Sequence, residues 1–229
     1  MDMDLLKQDV GKQASQLIED GQVVGLGTGS TTVHFIKFLA QRVKDEELDI
    51  MGIPTSFQSL ILARQLGIKV TSIDEHDIDI AVDGADEVDS NLDLIKGGGA
   101  AHTKEKIIDT SADKFVVIVD ESKMVDKLGA FALPVEIIPE SLRLIQDKLS
   151  AMGAKPELRM GIQKDGPVIT DNGNFILDAN FGVIENPHEL EVQLNSIPGV
   201  VENGIFSNVV DKVIVGRESG IETINKEDL

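Results

Sequence analysis

The chain has no cysteine, no tryptophan and no tyrosine in 229 residues, and eight phenylalanines are its whole aromatic content. Without cysteine, disulfides, thiolate metal sites and thiol catalysis are excluded. With so few rings, the core has to be built from Ile, Val, Leu and Ala, which suits a buried parallel sheet. Cations are scarce too: 21 Lys and Arg stand against 40 Asp and Glu, a formal net charge of −19. That balance argues against nucleic acid as a partner, since phosphate backbones are bound by basic faces. A local site for a small anion is still compatible with it. Apolar runs such as FVVIV are too short to span a bilayer. The opening MDMDLLKQDVGKQ lacks the basic and apolar regions of a signal peptide. A soluble, cytoplasmic protein with no membrane partner is expected.

The patterning that is present alternates. VVGLG (23–27), LDIMGIP (48–54), IDIAV (78–82) and KFVVIVD (114–120) read as strands, with helical patterns between them. Thr55-Ser56-Phe57-Gln58 reads as a capping box opening a helix to about Leu66. Alternation of this kind predicts an α/β fold, a Rossmann-like parallel sheet with helices on both faces. Near Gly129 the order changes. Strands at LPVEII, AKPELRM, NFILDAN and GVVENGIF, with helices over 140–152 and from Pro187, give βαββαβ, a smaller ferredoxin-like α+β domain. KVIVG (212–216) is expected to rejoin the main sheet. The expected division is 1–129 with 207–229 for the main domain and 130–206 for the small one.

Three strand ends carry residues suited to chemistry. In GLGTGSTT (25–32), Gly27 and Gly29 allow close backbone approach, and Thr28, Ser30 and Thr31 add hydroxyls ahead of a helix. Ser30 stands where a dinucleotide fingerprint needs its last glycine, so a phosphate grip fits better than NAD. Read alone, the segment is equally a strand-to-helix turn with a Ser/Thr cap. In VDGADEV (82–88), Asp83 and Asp86 flank Gly84 and Ala85, either as a carboxylate pair at the sheet edge or as a solvated acidic turn. In KGGGAAHTKEK (96–106), Lys96 is the first lysine or arginine after Lys69, and Gly97, Gly98 and Gly99 follow it. Three ordered glycines are entropically expensive and require a reason. Lys96 is suited to stabilising an oxyanion and Glu105 to taking a proton from carbon, although a helical glutamate is more often a solvated half of an ion pair. Lys123, after the fourth strand, sits where it can hold a phosphate. The four histidines show no metal-ligand spacing, so no metal site is expected.

Taken together these ends describe a pocket for a sugar phosphate undergoing proton transfer. GLGTGSTT, VDGADEV, IKGGGAAHTKEKI, ESK, LPVEIIP and GPVITDNGN, in that order, resemble the type A ribose-5-phosphate isomerases over about Lys7 to Gly216. The resemblance implies cofactor-free interconversion of ribose 5-phosphate and ribulose 5-phosphate by a homodimer or a homotetramer built as a dimer of dimers. It further implies that Glu105, Asp83 and Lys96 are catalytic. Lys7, Thr28 to Thr31, Asp83 to Asp86, Lys96 to Gly99 and Lys123 would contact substrate. His102 departs from the family's usual leucine, and 207–216 departs from its commoner forms. The rival reading is a sugar-phosphate-sensing effector module without catalysis. A methyltransferase or dehydrogenase on the glycine loop is the weaker alternative, since either would need a nucleotide-bearing cofactor.

Overall fold

The structure, a computed structural model, describes residues 3–229. In chain order its elements are α1 (Met3–Ser15), β1 (Val23–Leu26), α2 (Ser30–Asp45), β2 (Met51–Pro54), α3 (Phe57–Leu66), β3 (Lys69–Val70), β4 (Ile80–Asp83), β5 (Glu87–Val88) and β6 (Leu94–Ile95). There follow α4 (His102–Ser111), β7 (Phe115–Asp120), β8 (Leu133–Ile137), α5 (Leu142–Ala151), β9 (Lys155–Leu158) and β10 (Phe175–Asn180). The chain closes with α6 (Pro187–Asn195), β11 (Val200–Asn203), β12 (Ile205–Phe206), β13 (Lys212–Arg217) and β14 (Gly220–Asn225). Contacts between Cα atoms divide it into two compact units. The first comprises Met1–Ala85, Lys104–Met124 and Val209–Leu229, and the second Asp86–Thr103 and Val125–Asn208.

The first unit is the expected Rossmann-like sheet. Its strands run β14-β13-β7-β4-β1-β2-β3, all pairs parallel except the β13–β14 hairpin at one edge. Read from β3, the parallel strands fall in the doubly wound order 3-2-1-4-5-6, which reverses between β1 and β4. β1, β4 and β7 are buried throughout, as strands covered on both faces must be. One core cluster joins Val24, Leu26, Val82 and Ile118 of the sheet to Phe35, Ile36 and Leu39 of α2 and Val10 and Ala14 of α1. α2 and α1 each present those residues at helical spacing, so one stripe of each is buried.

α3 starts one residue later than the Thr55–Gln58 reading. Its N-cap is Ser56, which exchanges bonds with Ser59 in a capping box, and Gly67 ends it in the left-handed conformation. Thr55 and Gln58 are diverted to the loop after β1. Thr55 is buried with its hydroxyl 2.7 Å from that of Thr28, and Gln58 Oε1 accepts from the Gly29 N–H at 3.2 Å.

The second unit contains β8, α5, β9, β10, α6 and β11 as the βαββαβ order. The resulting antiparallel sheet runs β11-β8-β10-β9. Its core gathers Leu133, Val135 and Ile137 with Ile145, Leu149, Leu177 and Leu194. Pro187 opens α6 as expected, but the Asn186 side chain makes no capping bond. The GVVENGIF strand is broken at Gly204. β11 stays in the four-stranded sheet, whereas β12 pairs with β6 in a three-stranded sheet, β12-β6-β5. A Cβ on Gly204 would lie 2.3 Å from the Lys96 carbonyl oxygen, so the close approach of these backbones requires glycine there. This small sheet groups 86–103 with the second unit, where the expected division had placed it in the main domain. Strands of two residues carry no period, so nothing in the sequence separates 86–103 from the alternation before it.

Candidate active site

The site residues on the first unit lie where the sheet order reverses. β1, β2, β4 and β7 are parallel, so the loops after Leu26, Pro54, Asp83 and Asp120 leave from one edge, the carboxyl edge where open α/β sheets bind ligands. Asp83 is the last residue of β4 and is wholly buried (0% exposed). Its Oδ1 accepts two backbone bonds, from Thr28 N–H at 2.9 Å and from Gly84 N–H at 2.6 Å. Two donors on one oxygen fix the plane of the carboxylate. Gly27 makes the first bond possible, because a Cβ on it would stand 2.3 Å from Asp83 Oδ1 and 2.6 Å from Asp83 Cα.

Beyond Gly27 the chain turns into α2. The Thr28 hydroxyl donates to Ser56 Oγ at 2.6 Å, and Gly29 occupies the N-cap position of α2. Ser30 is exposed and accepts from Lys7 Nζ of α1 at 3.0 Å, while Thr31 is buried one residue further on. Lys7, the least patterned of the expected contacts, is thus brought to the loop. Ala85 is the last residue of the first unit's first segment, and Lys123 closes the 3₁₀ turn after β7 at the same sheet edge, partly exposed.

α4 follows β4 and precedes β7, so it crosses back over the sheet with its first turn towards the carboxyl edge. Ile108 packs with Val23, Ile53 and Ile78 and stands within 3.1 Å of a Cβ built on Gly25. Glu105 lies three residues earlier on the same helical face and is 4% exposed. It is a core-facing glutamate, where a solvated helix face was the commoner expectation. Asp109, one turn on from Glu105, is buried as well and had not been singled out.

On the second unit, Lys96 is 2% exposed, with Nζ 5.4 Å from the Phe206 ring centroid and its N–H bonded to the Gly204 carbonyl at 2.8 Å. The cation lies over an aromatic face in place of solvent. Gly97 is left-handed (φ 106°), and Gly98 and Gly99 are exposed. Asp86 Oδ2 accepts from the Gly98 N–H at 2.8 Å. His102 does not face solvent: it is buried, with Nε2 3.2 Å from the Glu202 carbonyl.

LPVEIIP and GPVITDNGN, to which no chemistry had been assigned, meet at one buried carboxylate. Glu136 of β8 accepts from the Thr103 hydroxyl, from Thr170 at 2.9 Å, from Asn172 Nδ2 at 3.0 Å and from Asn174 Nδ2 at 2.8 Å. Burial opposes its ionisation, but the four bonds, led by Thr103, outweigh it and hold the pKa below the usual 4.5. A carboxylate with a depressed folded-state pKa stabilises the fold above the unfolded pKa, and loses that contribution as pH falls through the folded value. The stability difference between wild type and Glu136→Gln, read from urea midpoints, is therefore expected to be largest above about pH 5 and to shrink below about pH 4. A difference that stays constant from pH 7 to 3 would show that Glu136 is not held ionised.

Among the described residues no group of three or more acidic or histidine side chains is arranged to hold a metal ion, and no helix is long and apolar enough to cross a membrane. The profile of the ribose 5-phosphate isomerase A (phosphoriboisomerase A) family matches residues 51–220. The chain belongs to the ribose 5-phosphate isomerase A family. The Ribose-5-phosphate isomerase A of Methanothermobacter thermautotrophicus is 60% identical over 219 residues, covering 96% of this chain and 97% of that one. The solved ribose 5-phosphate isomerase A of Methanocaldococcus jannaschii superposes with a TM-score of 0.94 at 54% identity, over 96% and 98% of the two chains. A D-ribose-5-phosphate isomerase solved in complex with phospho-erythronic acid gives a TM-score of 0.96 at 52% identity, over 98% and 100%. Likeness to family members thus extends over both units.

Proposed function

We propose that the protein interconverts D-ribose 5-phosphate and D-ribulose 5-phosphate through a cis-enediolate, with Glu105 as the base. The observation that carries this is the whole-length likeness to isomerases of this family, at 52–60% identity. The sensing-module alternative has no comparable support. Asp83, with one oxygen pinned by backbone N–H groups, is suited to passing protons between sugar oxygens as the furanose opens. Glu105 then removes the proton from C2, and the C2–H electrons form the C1–C2 double bond as O1 gains charge. Return of the proton to C1, with transfer of the O2 proton to O1, yields the ketose. Lys96 and the amides of the 97–99 loop are the groups assigned to the enediolate oxygens.

The polar loop of Thr28, Gly29, Ser30 and Thr31, with Lys7 and Lys123, is assigned to substrate binding with the phosphate in its charge. Binding there would supply orientation, so a substrate lacking phosphate is expected to lose turnover as well as affinity. The reaction is read as cofactor-free, the protein as a cytoplasmic homodimer or homotetramer. The test is conversion of ribose 5-phosphate to ribulose 5-phosphate with EDTA present and nothing added. Turnover is expected. Binding of ribose 5-phosphate without turnover would instead make the protein a sensor.

A further inference from the structure

We infer that Arg159, held by Asp178, is a positioning residue for isomerisation, acting through the backbone of the 97–99 loop. This rests on the reading of that loop as a substrate contact. Arg159 follows β9, and its planar guanidinium is committed on two sides. Nε donates to Asp178 Oδ2 at 2.8 Å and Nη2 to Asp178 Oδ1, the bidentate geometry that arginine alone offers. Nη1 donates to two successive carbonyls, Gly97 at 2.8 Å and Gly98 at 3.1 Å. Both side chains are largely withdrawn from solvent, with 16% and 27% exposure.

The consequence for the loop follows from the planarity of the peptide. The described backbone has no cis bonds, so each C=O and the next N–H point in opposite directions. The 97–98 peptide is gripped at both ends, by Arg159 on its oxygen and by Asp86 Oδ2 on its N–H. For the 98–99 peptide the oxygen is likewise turned to Arg159, so the N–H of exposed Gly99 is turned the other way. His102 closes the remaining freedom, its ring lying so near Gly97 that a Cβ there would stand 2.7 Å from Nδ1. Three glycines, the most flexible segment the chain could contain, are thereby held in one conformation, with an amide presented on the side away from the guanidinium. An amide fixed in advance is what stabilises charge that develops only in the transition state.

The test uses Arg159→Met, Arg159→Lys and Asp178→Asn in the full-length protein, each with kcat, KM for ribose 5-phosphate, affinity for phospho-erythronic acid, and Tm. Arg159→Met is expected to lower kcat about 10- to 100-fold and to weaken phospho-erythronic acid by a similar factor, with KM changed less than about threefold. Asp178→Asn, which loosens the guanidinium without removing it, should fall between wild type and Arg159→Met. Arg159→Lys, able to reach a carbonyl but not to bridge Asp178 bidentately, should recover only part of kcat. A lower Tm with unchanged kcat in all three would overturn the inference, leaving Arg159 a structural ion pair. Should Arg159→Met fail to fold, unaltered kcat in the other two variants would overturn it equally. Wild type devoid of isomerase activity would instead refute the function on which the inference rests, so the two failures are distinguishable.

Discussion

Glu105→Gln is expected to abolish most of the conversion of ribose 5-phosphate, lowering kcat by about 10²- to 10⁴-fold, while the protein still folds. The magnitude is that of removing a general base. The choice of glutamine matters because Glu105 is buried in the first turn of α4. An isosteric amide keeps the volume of the site and removes the capacity to accept a proton from carbon. Tm and circular dichroism should therefore change little. Isotope exchange supplies a second reading: with substrate deuterated at C2, wild type should release deuterium to water, and Glu105→Gln should not. Near-normal turnover in a folded variant would move the base to another residue.

The second large effect is expected at Gly27. A methyl group there meets Asp83 Oδ1 at 2.3 Å and Asp83 Cα at 2.6 Å, and the latter is backbone in a strand buried on both faces. Neither β1 nor β4 has room to yield. Overpacking of this kind costs about 1–3 kcal/mol, which at this size corresponds to roughly 2–4 °C in Tm for each kcal/mol. Gly27→Ala must also push the Asp83 carboxylate off the Thr28 amide, so kcat should fall at least about 10-fold through a residue that touches no substrate itself. Thermal unfolding and steady-state kinetics of the one variant check both parts. Wild-type values in each would mean that the carboxylate is held by something other than this close approach.

Much of this arrangement could be read from residue order, for identifiable reasons. The strands of the parallel sheet are β-branched runs bounded by glycine, proline or acid, and their burial on both faces leaves little ambiguity of type. The acidic turn and the first glycine loop stand out because they flank such strands, and Glu105 because its helix follows a lysine and three glycines. What escaped was short or non-local. β3, β5, β6 and β12 have two residues each, too few for a period, and with β5, β6 and β12 went the grouping of 86–103. Thr55 and Gln58 fit a local cap but bond to the glycine loop more than 25 residues earlier in the chain. Arg159 and Glu136 act on partners across 61 and 38 residues of sequence, respectively, and no local pattern marks either. The signal that could have found Glu136 was a glutamate inside an otherwise apolar strand, which burial obliges to have donors.

The position of β13 has a consequence for biosynthesis. β7 pairs with β4 on one side and with β13 on the other. On a ribosome the first partner is made before Phe115–Asp120, but the second is about 90 residues away, which at cellular elongation rates is a wait of roughly 5–20 s. During that interval the FVVIV segment has one paired edge and one bare edge of unsatisfied amides and carbonyls, the geometry that recruits foreign strands. The nascent chain is then at its most vulnerable to intermolecular pairing, and newly made β13 ends that vulnerability by occupying the edge itself.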